Sequence, residues 1–311
     1  MALGKAVMSE VDVAINQDLK AAIPIRELDT RFLLWFFLAN SSRIEAMGKG
    51  ATVKGVTLDQ LRSLEIPLPP LAEQRRIAAI LDKADALRAK RREAIAKLDQ
   101  LLQSVFLDMF GDPVSNPKNW PKESLASLFE IARGGSPRPI DAYITDAPDG
   151  INWIMIGDTV EGSKYIDSTR KKIRKEGVSR SRRVQPGDFL LTNSMSFGRP
   201  YILRTSGCIH DGWLVLSPRD SRTIQDYLHS ALSSPSIYSE FARRASGATV
   251  RNLNIDSVSG VEIPVPPSGL QADFSEAIQK IEGQAQHLEL QASQLDTLFA
   301  SLQHRAFTGA L

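Results

Sequence analysis

The stretch that decides the organisation of the chain is Ile66-Pro-Leu-Pro-Pro70, which opens the run IPLPPLAEQRRIAAILDKADAL at 66–87. A near copy, Ile263-Pro-Val-Pro-Pro267, lies 197 residues further along the chain, and Gln74 corresponds to Gln271 at the same offset. This offset holds over about sixty residues, which indicates an internal duplication because unrelated segments rarely stay aligned for so long.

The duplication is incomplete at its start. The motif Gly-Ala-Thr-Val occurs at 50–53 and again at 247–250, and upstream of it the offset becomes 194, so that Gly4 corresponds to Gly198. On this alignment residues 111–194 have no counterpart in the first copy. We therefore expect one complete module and the C-terminal part of another, whose N-terminal part is truncated.

Each Pro-rich motif is followed by a proline-free segment in which apolar residues recur at steps of three and four. These steps run from Ile77 to Val105 in the first copy, where two arginines interrupt them, and from Phe274 to Leu302 in the second. Heptad spacing of this kind predicts two long helices, each about 57 Å long for roughly 38 residues.

The two predicted helices differ in charge. Residues 71–108 carry eight Lys or Arg and six Asp or Glu, whereas residues 268–305 carry two and five. Exposed ion pairs stabilise little, but complementary charge selects a partner helix. We predict that the two helices pair antiparallel within one chain; the alternative is that each forms a coiled coil with another chain.

The segment between the helices is typical of a mixed α/β globule. Runs rich in β-forming residues occur at 151–156, 189–191 and 213–216, and residues 224–241 have helical character interrupted by Pro235. The predicted fold class is therefore α+β, with mixed α/β domains separated by two long helices that form an antiparallel coiled coil.

Composition excludes several classes of protein. Of 311 residues, 42% are apolar and 24% are charged, which argues against a disordered or fibrous chain. No apolar run approaches the ~20 residues that cross a bilayer. The single cysteine, Cys208, excludes an intramolecular disulfide and a multi-cysteine zinc site, and it favours a reducing, cytoplasmic location. Because the formal net charge is only +2, nucleic-acid binding would require local clusters of basic residues.

The Pro-rich arms that lead into helices resemble those of the DNA-specificity (S) subunits of type I restriction–modification systems. Further matching motifs are LLQSVF at 101–106, the terminal AFTGAL at 306–311, IARGGS at 131–136 and NSMSFG at 193–198. The resemblance covers nearly the whole chain. It implies two target-recognition domains, each of which reads half of a split DNA site, and two helices that dock methyltransferase (M) subunits.

Several expectations follow from this resemblance. The predicted domains are a truncated first target-recognition domain at 1–65, an arm and central helix at 66–110, a complete second target-recognition domain at 111–262, and an arm and C-terminal helix at 263–311. The chain itself would bind no cofactor, since S-adenosylmethionine would belong to the M subunits, and ATP and Mg to the restriction (R) subunit.

Two departures from the family pattern leave a second hypothesis open. The second arm continues as Ser268-Gly-Leu-Gln271 where the first has Leu71-Ala-Glu-Gln74, and the first domain lacks the part equivalent to 111–194. The chain would then be a half-specificity or relic subunit that binds M subunits, pairs with a second copy, or is completed by a separate fragment.

Two segments are the main candidates for DNA contact. Residues 170–183 carry eight basic residues and one acidic residue, as expected of a flexible loop that faces phosphates, although a solvated charged surface would look the same. The loop 133–138 presents two arginines beside paired glycines, suited to bidentate contact with guanine, although it could be an ordinary turn. The predicted DNA-binding residues are Arg133, Ser136, Arg138, Arg180, Arg182, Arg183, Asn193, Ser194, Arg199, Arg243, Arg244, Thr249, Arg251, Lys49 and Lys54.

The sequence contains no motif that points to catalysis. Gly48–Gly55 has the composition of a phosphate-binding loop but not its order, and the four histidines are too far apart for a local metal-ligand pair. Cys208 and His210 would share one face of a strand, and we interpret them as a buried cysteine beside a polar histidine. We therefore predict no catalytic, cofactor-binding or metal-binding residue.

Overall fold

The computed structural model of the protein describes residues 3–48, 55–160, 162–193, 197–245 and 252–311. They belong to two compact units: unit 1 comprises Met1–Leu98 and Gln284–Leu311, and unit 2 comprises Asp99–Gly283. The α-helices are α1 (Thr30–Ala39), α2 (Ser41–Met47), α3 (Leu58–Arg62), α4 (Leu71–Phe110), α5 (Leu125–Leu128), α6 (Gln225–Leu232), α7 (Pro235–Arg244), α8 (Ile255–Ser259) and α9 (Ser268–Thr308). The strands are β1 (Lys122–Ser124), β2 (Phe129–Arg133), β3 (Ile144–Thr145), β4 (Ile151–Ile154), β5 (Tyr165–Ile166), β6 (Lys171–Ile173), β7 (Arg182–Val184), β8 (Phe189–Thr192), β9 (Pro200–Leu203), β10 (Gly207–Ile209), β11 (Trp213–Pro218) and β12 (Glu262–Pro264).

The two long helices pair antiparallel, as predicted. In unit 1, Arg76 of α4 donates to the carbonyl of Leu311 beyond the end of α9 at 3.0 Å, and Arg88 Nε lies 2.6 Å from Asp296 Oδ1. Residue numbers therefore rise along α4 as they fall along the partner segment. Both helices follow the Pro-rich arms because proline cannot continue a helix, whereas the sequence beyond each arm is rich in strong helix formers.

Unit 2 is the mixed α/β globule that the sequence predicts. One five-stranded sheet has the order β3-β6-β4-β10-β7, a second has the order β2-β11-β8-β9-β5, and β1 pairs with β12. Three predicted strand runs form β4, β8 and β11, and the predicted helical segment forms α6 and α7. Pro235 is the first residue of α7, the helical position that tolerates a missing N–H. The fold class is thus α+β with two long antiparallel helices.

In unit 1 a buried glutamine ties the first Pro-rich arm to the chain before α1. Gln74 is 1% exposed. Its Oε1 accepts the backbone N–H of Asp29 at 2.8 Å, and its Nε2 donates to the carbonyls of Glu27 and Pro69 at 2.9 and 2.8 Å. The amide therefore satisfies three backbone groups that would otherwise be buried without partners.

In unit 2 Gln271 makes the same set of bonds. Its Oε1 accepts the N–H of Ile224 at 2.8 Å, and its Nε2 donates to the carbonyls of Arg222 and Pro266 at 3.0 and 2.8 Å. The internal duplication inferred from sequence is therefore a structural repeat, and Gln271 is the counterpart of Gln74 in geometry as well as in position.

Within the described parts of the chain, no helix has both the length and the apolar character needed to cross a membrane.

Candidate nucleic-acid interface

The loop that follows β2 is held close to the turn between β10 and β11. The N–H of Gly134 donates to the carbonyl of Trp213 at 2.9 Å, and the N–H of Gly135 donates to that of Ile209 at 3.1 Å. A Cβ atom at position 134 would lie 2.1 Å from the carbonyl oxygen of His210, so only glycine fits there. The paired glycines thus let the loop 133–138 approach this turn.

Asp211, in that turn, is the centre to which the predicted loop residues converge. Its Oδ1 accepts the hydroxyl of Ser136 at 2.8 Å, and its Oδ2 lies 3.3 Å from Nη2 of Arg138. Its backbone carbonyl accepts Nε of Arg133 at 3.2 Å and Nδ2 of Asn193 at 2.8 Å. Four residues selected from sequence therefore meet around one aspartate, and the side chains of Arg133 and Arg138 remain exposed.

The local environment favours an ionised Asp211 beside a neutral His210. Partial burial opposes ionisation of Asp211, but hydrogen bonds from Ser136 and its own backbone, together with the nearby charge of Arg138, hold its pKa below the usual range. Burial lowers the pKa of His210, and the nearby charge of Asp211 only partly offsets this. The imidazole accepts the N–H of Gly212 at Nδ1, at 2.6 Å.

The basic run 170–183 is not the flexible loop that we expected. It forms β6, a 3₁₀ helix at Lys175–Arg180, and β7. Ile173 and Val184 are 0% and 6% exposed, and Gly177 is buried, with space for a Cβ limited by Tyr143 at 3.0 Å. Apolar residues spaced between the charges anchor the run to the sheet, which composition alone does not reveal.

Because residues 170–183 form regular structure, Arg180 is held beside the loop 133–138. The Arg180 guanidinium lies 5.7 Å from the ring centroid of Tyr143, and its Nη1 donates to the carbonyl of Arg138 at 3.4 Å. Arg182 and Arg183 follow on β7, an edge strand, where they pair with Ile209 and Cys208 of β10. All three arginines are exposed.

The remaining predicted residues lie apart from this cluster or outside the described residues. Arg243 and Arg244, at the end of α7, form ion pairs with Glu240, and no hydrogen bond or ion pair among the described residues joins them to Asp211. Arg199 is exposed, whereas Asn193 is 1% exposed and so supports the turn from within. The predicted residues that fall outside the described ones are Lys49, Lys54, Ser194, Thr249 and Arg251.

Sequence reasoning missed Asp211. The signal that was available is the dipeptide Asp211-Gly212 between two β-rich runs, which is typical of a tight turn. Cys208, three residues earlier, is fully buried, as expected, and burial raises the pKa of its thiol.

The described residues contain no group of three or more His, Cys, Asp or Glu placed to hold a metal ion.

Comparison with known proteins shows what the chain is similar to. A family model described as the type I restriction modification DNA specificity domain matches residues 2–97. The chain is 24% identical over 303 residues to the type I restriction enzyme EcoBI specificity subunit of Escherichia coli, covering 87% of this chain and 63% of that protein. The chain is therefore similar over most of its length to type I restriction–modification specificity subunits.

Other known proteins show a similar likeness. The type I restriction enzyme EcoKI specificity subunit of E. coli strain K12 is 22% identical over 301 residues, 87% of this chain and 62% of that protein. Among solved structures, the HsdS subunit from Thermoanaerobacter tengcongensis is 22% identical with a TM-score of 0.51, covering 90% of this chain and 70% of that one. A chain from a type I restriction–modification system gives a TM-score of 0.64 at 21% identity, with coverages of 90% and 71%. The chain spans somewhat less than two thirds of the length of these two E. coli relatives.

Proposed function

We propose that the chain is a non-catalytic DNA sequence-recognition subunit of a type I restriction–modification complex, and that unit 2 is a target-recognition domain. The observation that carries this proposal is the convergence of Arg133, Arg138 and Arg180 beside Asp211, with their guanidinium groups exposed. Arginine can bond to O6 and N7 of guanine at once, which makes it the side chain best suited to reading that base in the major groove.

The contacts to Asp211 support a division of roles among the arginines. Arg133 and Arg138 are each restrained by Asp211, and a restrained guanidinium loses less side-chain entropy when it bonds a base. Arg182 and Arg183 lie on an exposed edge strand, where they would contact phosphates. Arg133 and Arg138 contact Asp211, and Arg180 contacts the carbonyl of Arg138, so basic side chains cluster here although the formal net charge of the whole chain is only +2.

Similarity to specificity subunits supports the remaining parts of the proposal. The long helices would dock M subunits, which would bind S-adenosylmethionine, and the R subunit would supply the site for ATP and Mg. The chain would bind no cofactor and would position its partners on a bipartite DNA site in the cytoplasm.

The test compares two sets of substitutions in the full chain, assayed for DNA binding with and without M subunits. Replacing Arg182 and Arg183 with Ala should weaken binding to all sequences and flatten the dependence of log Kd on log salt by about one unit for each phosphate that is no longer neutralised. Replacing Arg133 or Arg138 with Ala should instead relax preference at one base, by roughly 1–3 kcal/mol for each bidentate pair that is removed.

A matched control is Lys280→Ala, which removes a positive charge from an exposed position on α9 whose partner is Glu276. It should change neither base preference nor the salt slope of DNA binding. If both sets of arginine substitutions act alike, or if the control acts like them, the assignment of these residues to readout and to phosphate contact is wrong.

A second candidate function is that of an interaction subunit that assembles with M subunits and reads at most half of a DNA site. It is favoured by unit 1, whose described residues contain no β-strand. Assembly with M subunits, combined with DNA binding that none of the arginine substitutions alters, would support this function over the first.

A further inference from the structure

Asp211 lies among the exposed arginines of unit 2, and its carboxylate has room for a further partner. Its side chain is 46% exposed, although it accepts the hydroxyl of Ser136 at 2.8 Å and Nη2 of Arg138 at 3.3 Å. An ionised carboxylate has about four acceptor sites and no donor. Among the described residues, the bonds from Ser136, from Arg138 and from its own backbone leave at least one site for a donor from another molecule.

Arg138 presents donors beside this acceptor. Its side chain is 76% exposed, and the bond to Asp211 uses one of the five N–H groups of a guanidinium. Backbone hydrogen bonds from Gly134 and Gly135, at 2.9 and 3.1 Å, fix the loop that carries Arg138 to the residues that flank Asp211. A cation and an anion are thus held side by side on restrained backbone.

The order of donor and acceptor in this pair matches the major-groove edge of a G·C base pair. Guanine presents N7 and O6 there as acceptors, and cytosine presents its N4 amino group as a donor. O6 and N4 are joined by a Watson–Crick hydrogen bond, so they lie about 2.9 Å apart. Nη2 of Arg138 and Oδ2 of Asp211 lie 3.3 Å apart, which is close enough for them to meet O6 and N4 side by side.

An A·T pair fits the two side chains less well. It presents N7, the N6 amino group and O4 in that order, so its donor lies between two acceptors. Arg138 would then make one bond to adenine where guanine offers two adjacent acceptors. The pairing of an arginine with an acceptor-only carboxylate therefore favours G·C.

We infer that Arg138 and Asp211 read one G·C base pair together: Arg138 donates to guanine, and Asp211 accepts the N4–H of the cytosine on the other strand. Asp211 is then a specificity-determining residue as well as a support for the arginine. The inference rests on the proposed DNA-binding function of unit 2 and adds a base contact to it. Arg133, by contrast, contacts the backbone carbonyl of Asp211, which substitutions of the side chain leave in place.

The first experiment selects bound sequences from randomised DNA duplexes with the full chain, with and without M subunits. The wild type should select G·C at one position. Arg138→Ala and Asp211→Asn should each relax that position about tenfold, whereas Arg133→Ala should relax another. Asp211→Asn keeps an oxygen for the hydroxyl of Ser136, so its Tm should stay close to that of the wild type. It should not weaken binding to non-specific DNA, because it removes a negative charge beside the DNA.

The second experiment changes single groups on the selected base pair. N4-methylcytosine still pairs with guanine but carries a methyl group in place of the N4–H in the major groove, and 7-deazaguanine lacks the N7 acceptor. N4-methylcytosine should weaken wild-type binding about tenfold and Asp211→Asn binding less than about twofold, since that variant has already lost the acceptor. 7-Deazaguanine should weaken the binding of both proteins, because both retain Arg138.

The matched control is Asp220→Asn. Asp220 is 42% exposed and pairs with Arg222 at 2.9 Å, but it follows the opposite end of β11 from Asp211. This variant should select the wild-type sequence and respond to N4-methylcytosine as the wild type does.

The outcomes separate this inference from the proposed function. If Arg138→Ala relaxes a position that Asp211→Asn leaves unchanged, or if N4-methylcytosine weakens both proteins equally, the shared reading of G·C is wrong while the proposed function stands. If neither Arg133→Ala nor Arg138→Ala changes base preference, both are wrong.

Discussion

Replacing Gln271 with Ala should destabilise unit 2 strongly, because this one side chain satisfies three backbone groups. It is 0% exposed, and its bonds to Ile224, Arg222 and Pro266 measure 2.8, 3.0 and 2.8 Å. A net loss of about 1 kcal/mol for each bond, with the backbone partners left buried, lowers the free energy of unfolding by about 3 kcal/mol. For a domain of this size, that corresponds to a fall in Tm of roughly 6–12 °C.

The assay is urea and thermal unfolding followed by tryptophan fluorescence and circular dichroism. Trp120, Trp153 and Trp213 lie in unit 2, and Trp35 lies in unit 1. Fluorescence is therefore weighted towards unit 2, where the loss is expected.

Two variants calibrate the result. Gln279→Ala removes an exposed glutamine from the same helix, where its amide lies 3.5 Å from the hydroxyl of Ser275, and it should be nearly neutral. Gln74→Ala removes the equivalent three hydrogen bonds from unit 1 and should lower the stability of that unit by a similar amount. A Gln271→Ala protein within about 0.5 kcal/mol of the wild type would show that the bonds do not hold the arm as argued.

Three further substitutions test other parts of the fold. Arg88→Ala should lower the free energy of unfolding by about 1–2 kcal/mol, measured in urea, because its guanidinium lies 4.1 Å from the ring centroid of Phe299 and its side chain is only 17% exposed. Tyr227→Phe should cost about 1–2 kcal/mol in the same assay, because the buried hydroxyl donates to the carbonyl of Pro264 at 2.6 Å. Burial lowers the pKa of His229 to about 4, below about 6.5 in the unfolded chain, so its contribution to stability is complete above pH 6.5 and is lost as the pH falls towards 4. His229→Leu should therefore flatten the pH dependence of unfolding in that interval by up to about 1.4 kcal/mol per pH unit.

Each of these expectations has a result that contradicts it. If Arg88→Ala is as stable as the control Lys97→Ala, which alters an exposed residue of the same helix that pairs with Glu93, Arg88 has no special role in the helix pair. Unchanged stability of Tyr227→Phe would mean that the hydroxyl bond is matched by solvent in the unfolded chain. Parallel pH profiles for the wild type and His229→Leu would show that His229 titrates normally in the folded protein.

Features set by local pattern could be predicted from the sequence. The helices were predictable because apolar residues recur with helical spacing, and the correspondence of Gln74 and Gln271 was predictable because duplication preserves position. The antiparallel pairing followed from complementary charge and from the globule between the helices. None of these features depends on contacts between loops that are far apart in the sequence.

The central role of Asp211 could not be predicted in the same way. Its contacts join Ser136, 75 positions away, and Arg138, 73 positions away, through strands of two different sheets. The order in residues 170–183 was missed for a related reason: Ile173 and Val184 are too few to stand out among eight basic residues, yet both are buried by long-range packing. Sequence pattern located the charged segments but not the aspartate that joins them.

Arg88, which lies where α4 contacts α9, limits how the two long helices can slide along each other. Arg88 meets Asp296 and the ring of Phe299 at one place only. A slip of one heptad would move Asp296 away from Arg88 by roughly 10 Å and would place Ala292 or Ala306 where the ring of Phe299 now lies. The contacts of Arg88 with Asp296 and Phe299 thus favour one register of the two helices, so length changes in these helices should be tolerated only when both partners gain or lose whole heptads together.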